Sequence, residues 1–391
     1  MQPVVISHGS AIEVLDAMRT DADSRSKPLG ASPSIEGNFV VHRELAPFIS
    51  PDAGKRLSDV SWLPRPIDLL TSKRNGARNT KSIHPHNWEL PNTYDDLVGF
   101  WLPATNRRSP AYAFVCPPEL ATMQLTRGLN RANVADLINQ LSGTYRTIRP
   151  TALPLYRGIS NVHIELYPKD STDGNCQSAT VYGLHALTNV SLIKSFIDSY
   201  KSAGRRQGSY GAELVRQALP LSCDGLASPF ESQIWMLAFC SRRQGSLGLP
   251  RPEVNSPLRL TDEAGRFVDG ERIIPDFYWL EHRVALEANG RLYHGKASDI
   301  TDTSLRDKAY RAMDIACVTL TPAEVRDERR FQAAMEEVAR LIGHRLPAET
   351  AAFQKQRTRL RSELFGEVKD AAIEDDPGYW SELARYIECQ S

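Results

Sequence analysis

The sequence predicts an α/β protein of the α+β kind: a C-terminal mixed sheet flanked by helices, preceded by a separate mixed α/β N-terminal region. Three observations carry this. Short runs rich in β-branched and aromatic residues, such as LVGFWLP at 97–103 and IACVTL at 315–320, alternate with amphipathic runs such as RRFQAAMEEVARLIG at 329–343. The C-terminal half reads in the order α–β–β–β–α–β–α with no internal repeat. The chain has 391 residues, 41% of them hydrophobic, enough for two or three domains with real cores.

Residues 2–20 read as a short strand, VVIS, followed by a helix carrying Ile12, Leu15 and Met18. Residues 21–95 are rich in Ser, Pro, Arg and Asn and read as irregular, so 1–95 is taken as one N-terminal region. It contains the acid-free basic stretch SKRNGARNTK at 72–81, a solvated loop or a phosphate-contacting one. From 96 to 220 the pattern tightens into a mixed α/β domain. LVGFWLP and AYAFVC read as strands, PPELATMQLTRGL and ANVADLINQLSGTY as helices, and LPLYRG and VHIELYP as further strands. A helix near 189–202 places Leu192, Ile193, Phe196, Ile197 and Tyr200 on one face, and SAGRRQGSYG at 202–211 reads as a basic linker or turn.

The third unit, 225–345, begins with the helix SPFESQIWMLAFC. PLRLTD and FVDG are short strand candidates around the turn EAGR, and IIPDFYWL and RVALEANG read as strands. The helix TSLRDKAYRAMD, the strand IACVTL and the helix RRFQAAMEEVARLIG complete it. The tail, 350–391, reads as two helices broken at AAIEDDPGY. Its first helix, FQKQRTRLRSELF, is basic and amphipathic.

Lys plus Arg equals Asp plus Glu at 47 each, so net charge does not advertise a nucleic-acid partner, although a local basic face is compatible with a balanced total. The six cysteines form no CxxC pair and none has zinc-ligand spacing. Cys240 and Cys317 lie in apolar runs and read as buried thiols, a pattern that fits a reducing cytosol. The N-terminus lacks the basic-then-apolar order of a signal peptide, and no apolar run approaches the roughly 20 residues of a membrane span. A cytoplasmic protein without a membrane partner is expected.

The chemistry concentrates in IIPDFYWLEHRVALEANG. Two strands joined by a tight turn at Glu281–His282 would pair Leu280 with Arg283, Tyr278 with Ala285, and Asp276 with Glu287. Opposed residues have Cβ atoms about 4.5–5.5 Å apart, and like charges there destabilise a sheet. A divalent cation gives such a pair a reason, because Mg²⁺ binds through one or two carboxylates plus water and substrate phosphate. The competing reading is a wet strand edge, or neutralisation by an arginine such as Arg283 or Arg291. Alternation places Phe277, Trp279, Val284, Leu286 and Ala288 on the opposite, apolar face.

Glu231 also has two readings. In Ser228-Pro229-Phe230-Glu231 it completes a capping box with Pro at the first helical position, or it reaches the carboxylate pair as a third acid. Arg306, Asp307, Lys308 and Arg311 follow on a helix that either presents cations to a phosphate or is simply solvated. His294 is a surface histidine or supports the metal ligands.

The segments SPFES, IIPDF, VALEANGRLYH and LRDKAYRAMDIACVTLTPAEV, in that order, resemble the very-short-patch-repair-like branch of the PD-(D/E)xK restriction-endonuclease-like superfamily. The resemblance covers roughly 120 residues, counted from those segments. It implies a restriction-endonuclease-like sheet, Asp276 and Glu287 as ligands of Mg²⁺ or Mn²⁺, and Glu231 as the helix acid. Arg306 and Asp307 match an Arg-Asp pair, and His294 a histidine of the branch. The superfamily's usual lysine is replaced by Asn289, whose amide oxygen is a weaker metal ligand, and a customary glycine by Asp314. SHGSAIEVL, AYAFVCPPELATMQL and LSGTY are similar to proteins near the AbiE-type abortive-infection antitoxins.

Two functions follow from these resemblances. One is metal-dependent hydrolysis of nucleic acid by an endonuclease, with DNA expected ahead of RNA, an RNA-directed nuclease sharing the same site, and phage defence as one setting, and with Lys296, Arg306, Lys308 and Arg311 facing phosphate. The other is a non-catalytic, antitoxin-like or regulatory nucleic-acid-binding protein built on a degenerate nuclease fold. A partner protein or a homodimer is compatible with either.

Overall fold

The computed structural model describes residues 4–23, 64–71, 81, 83–87, 98–102, 111–157, 162–167, 178–202, 209–290 and 297–366. These form a mixed α/β structure that divides between Leu219 and Pro220 into two compact units. No helix among the described residues is long and apolar enough to cross a membrane.

The first unit opens with strand β1 (Val4–Ile6) and helix α1 (His8–Asp23). It continues with strands β2 (Ile67–Thr71), β3 (Ile83–Asn87), β4 (Val98–Leu102) and β5 (Ala111–Val115). These five strands make one mixed sheet in the order β3-β2-β1-β5-β4. β1 runs parallel to β5 and antiparallel to β2, so the region before 95 and the region after it share a sheet. The sequence boundary drawn at 95 therefore does not separate two structures. Helices α2 (Pro118–Gln124) and α3 (Arg131–Ser142) follow, as read from their periodicity, and Asn130 caps the second through Asn133 N.

Strand β6 (Tyr145–Ile148), β7 (His163–Tyr167) and β8 (Ser178–Tyr182) form an antiparallel sheet in the order β6-β8-β7. Between β6 and β7, the run read as a strand, LPLYRG, instead forms the short helix α4 (Leu153–Tyr156). Pro154 sits in its first turn, and Leu153 and Tyr156 are buried three residues apart, a helical rather than an alternating spacing. Helix α5 (Val190–Ser202) buries Ile193, Ile197 and Tyr200, whereas Leu192 is 53% exposed, so its apolar face is narrower than the sequence suggested. Helix α6 (Ser209–Ala218) ends the unit. Buried charge ties α1 to the 145–157 segment. Arg149 grips both oxygens of Glu13 at 2.7 Å, and Tyr156 donates to Asp16 at 2.9 Å.

The second unit contains helix α7 (Pro229–Ala238), strands β9 (Glu253–Val254), β10 (Leu258–Arg259), β11 (Arg272–Ile273), β12 (Phe277–Trp279) and β13 (Val284–Ala288), and helix α8 (Ala297–Ala312). Strand β14 (Ala316–Leu320) and helices α9 (Pro322–Arg326), α10 (Glu328–Leu341) and α11 (Ala351–Phe365) complete it. Its main sheet has the order β14-β13-β12-β9, with β13 and β14 parallel and the other pairs antiparallel. The run IIPDFYWL is split. Ile273 pairs with Leu258 in a separate two-stranded ribbon, and pairing in the main sheet resumes at Phe277. Pro275 between them has no N–H to give a ladder, which is where such a strand breaks. FVDG is a turn rather than a strand.

Both faces of the main sheet are covered. On one, Phe239 at the end of α7 meets Phe277 at 5.1 Å and Trp279 at 5.6 Å between ring centres. On the other, Tyr278 and Ala285 pack with Ala309, Tyr310 and Met313 at the end of α8. Helix α11 belongs to this unit: its buried Arg357 donates to the carbonyls of Leu237 and Gly245. Cys240 is buried as expected, but Cys317 is only partly so.

Candidate active site

The hairpin register places the carboxylates. β12 and β13 pair Phe277 with Leu286, Tyr278 with Ala285 and Trp279 with Val284. One further step sets Asp276 opposite Glu287, as the spacing predicts. The turn is a single 3-10 turn, Leu280–His282, closed by Arg283 in the left-handed conformation at φ 53°. Arg283 does not neutralise the pair; its guanidinium donates to the carbonyls of Met313 and Asp314. Asp314 itself has φ 51°. That left-handed conformation favours glycine, and aspartate is among the residues that tolerate it.

Asp276 is partly buried, and its Oδ2 accepts from Ala288 N at 2.6 Å across the hairpin. Glu287 is 15% exposed at its side chain, and its Oε1 accepts from Arg306 Nη2 at 2.6 Å and from the Tyr310 hydroxyl. The second oxygen of each, Asp276 Oδ1 and Glu287 Oε2, has no hydrogen-bond donor among the described residues. Arg306 also donates to Ile274 O at 2.9 Å, so it clamps β13 to the ribbon strand. The arginine neutralisation weighed from sequence therefore occurs through Arg306, not through Arg283.

Glu231 does two jobs at once. Ser228 Oγ accepts from Glu231 N at 3.1 Å, which is the cap. The return half of the capping box is displaced, because Glu231 Oε2 accepts from Ala227 N and from Asn255 Nδ2, both at 2.8 Å. Asn255, at φ 49°, also gives its own N–H to Asp276 O at 3.0 Å and so links the helix acid to the strand acid.

The Glu231 and Asp276 carboxyls sense their acidic neighbours. Burial, with Glu231 and Glu287 nearby, raises the Asp276 carboxyl well above its ordinary value. Burial raises Glu231 to about 6, although three hydrogen bonds oppose it, and Glu287 adds to the rise. Burial lowers the Arg306 guanidinium, but the Glu287 charge more than offsets this and the net shift is upward. Tyr310 is pushed up by burial and then by Glu287, so its phenol stays protonated and remains a donor.

The remaining sequence candidates separate. Asn289 does not point a free amide at the acids; its Nδ2 donates to Thr303 Oγ1 at 2.9 Å and ties the end of β13 to the middle of α8. Lys308 and Arg311 are exposed, and none of the contacts to the carboxylates is theirs. His294 and Lys296 lie outside the described residues, as does Arg291. Sequence reasoning missed Asn255 and Tyr310. Tyr310 stands four residues after Arg306, the spacing that shares a helix face, and that signal was available. Asn255 carried none.

Among the described residues no group of three or more His, Cys, Asp or Glu side chains is arranged to hold a metal ion. A Mg²⁺ ion, however, needs only one or two carboxylates when water and a substrate phosphate fill the other positions. The donor set here fits that minimum: one hard oxygen from each of two paired residues, Asp276 Oδ1 and Glu287 Oε2, with Glu231 as a third acid close enough to shift Asp276. Compared with protein-family models, with curated proteins and with solved structures, the chain matches none.

Proposed function

We propose that the second unit is a metal-dependent phosphodiesterase acting on nucleic acid, a DNA endonuclease of the restriction-endonuclease-like kind. The observation that carries the reading is the convergence of Glu231, Asp276 and Glu287 from a helix and two strands. Glu231 and Glu287 raise the Asp276 carboxyl, Glu287 raises that of Glu231, and Arg306 is bonded to Glu287. Like charges brought together at this cost are a feature of functional sites. Asp276 and Glu287 would hold Mg²⁺ or Mn²⁺, which when bound lowers the pKa of a water and polarises the phosphodiester. Glu231, fixed by Asn255 and Ala227, is set to take a proton near neutrality. Arg306 holds Glu287 in orientation and would supply a cation to the reacting phosphate, in place of the lysine that Asn289 replaces. A role in phage defence is the biological setting the resemblance suggests.

A second reading is favoured by one observation: Glu287 already has an arginine and a tyrosine on one oxygen. On that reading the unit is a non-catalytic nucleic-acid-binding scaffold, regulatory or antitoxin-like. Plasmid and oligonucleotide cleavage with Mg²⁺ or Mn²⁺ separates the two. Under the enzyme reading Asp276→Ala abolishes cleavage and leaves DNA binding unchanged. Under the scaffold reading the wild type does not cleave, while Lys308→Ala and Arg311→Ala weaken binding and reduce its salt slope.

A further inference from the structure

A cleft in the same unit lies apart from the Glu231, Asp276 and Glu287 cluster, between α10 and α11. It is an open cleft of about 970 Å³, lined by Glu328, Gln332, Arg357, Thr358 and Arg361 among others. That volume is in the range of small-molecule sites. Two arginines one helical turn apart converge there on a single carboxylate. Arg357 Nε is 3.0 Å from Glu328 Oε1, and Arg361 Nε pairs with Glu328 Oε2. Arg357 is 7% exposed at its side chain and Arg361 11%, whereas Glu328 is 43% exposed.

The donors of these two guanidiniums are only partly used. Arg357 Nη1 serves the carbonyls of Leu237 and Gly245, and Arg361 Nη2 those of Val325 and Arg326. Arg357 Nη2 and Arg361 Nη1 are buried with no hydrogen-bond partner among the described residues, and so is Gln332 Oε1. The cleft thus carries two buried positive charges against one half-exposed negative one. Glu336, Glu349 and Arg329 also line it, but all three are exposed and are screened by water and salt. Burial pulls both guanidiniums below their ordinary value, with Glu328 opposing, which is the mark of cations short of counter-charge. Unpartnered buried donors on charged groups are rare and costly, and planar guanidinium forks match the oxygens of an oxyanion.

We propose that this cleft binds a phosphate group, as the free ion or as the phosphate of a small monoester, held by Arg357 Nη2 and Arg361 Nη1. A duplex backbone is the poorer fit, because the two arginines are recessed rather than displayed. The site is independent of the carboxylate cluster, so its failure would leave the proposed nuclease reading untouched.

The test uses the full chain at low ionic strength, titrated with inorganic phosphate and separately with adenosine monophosphate by calorimetry. Saturable binding of either is expected, and Arg361→Gln should weaken it by about tenfold or more. Tighter binding of the monophosphate identifies a monoester, and equal or tighter binding of inorganic phosphate identifies the free ion. Arg357 also holds backbone carbonyls, so the variant of choice is Arg361→Gln, with Arg361→Lys to restore the charge. Far-UV circular dichroism must match the wild type for both. No saturable binding of either ligand to the wild type, or equal affinity in a folded Arg361→Gln, would overturn the proposal.

Discussion

Replacing Glu231 by glutamine isolates the strain of the acid cluster. Glu231 is 4% exposed, and its carboxyl is raised from 4.5 to about 6. A raised carboxyl means that the folded state holds the proton more tightly than the unfolded chain. The stability linked to it is therefore fully present below about pH 4.5 and is lost as pH climbs through about 6. At about 1.4 kcal/mol per pH unit, the ionised Glu231 costs about 2 kcal/mol of stability above neutrality. Glu231→Gln keeps an oxygen for Ala227 N and Asn255 Nδ2 and removes the charge. In the presence of a chelator it should stabilise the protein by up to about 2 kcal/mol at about pH 8, and change little at about pH 4. Urea unfolding followed by tryptophan fluorescence at both pH values reads this directly. A destabilisation at the higher pH, or the same effect at both, would refute the idea that Glu231 carries an uncompensated buried charge.

Other outcomes follow from the same contacts. Arg306→Ala leaves Glu287 without its cation and Ile274 O without a donor, so a loss of about 1–3 kcal/mol is expected in urea unfolding, with partial recovery in Arg306→Lys. Phe277 is fully buried between the sheet and Phe239, and Phe277→Ala should cost about 3–5 kcal/mol, seen as an earlier urea midpoint. Ser228→Ala removes the cap of α7 and should cost about 1 kcal/mol by the same assay.

What the sequence made legible is local. The alternation of Phe277, Trp279, Val284 and Leu286 fixed the hairpin register, because a slip by one residue would have turned these four out of the core. On the carboxylate face Tyr278 and Ala285 are buried under α8, which the strand pattern does not announce. A helix arriving from residues 297–312 leaves no trace in the strand pattern itself. Arg306 on Glu287 was hidden for the same reason, since the contact depends on how α8 crosses the sheet. The shared sheet of the first unit was missed because β1 and β5 are short and pair across more than a hundred residues. Pro275 was the one punctuation mark in IIPDFYWL, and it split the run.

Calorimetric titration of Mn²⁺ into the wild type and into the double variant Asp276→Ala/Glu287→Ala tests the central claim most directly. It is run at about pH 6 in two buffers of different ionisation enthalpy, so that protons released on binding are counted. Saturable binding to the wild type with net proton release, from carboxyls held protonated by burial and by one another, and no binding to the double variant, is the predicted result. Absence of binding to the wild type, or equal binding to both proteins, would contradict a metal site at Asp276 and Glu287.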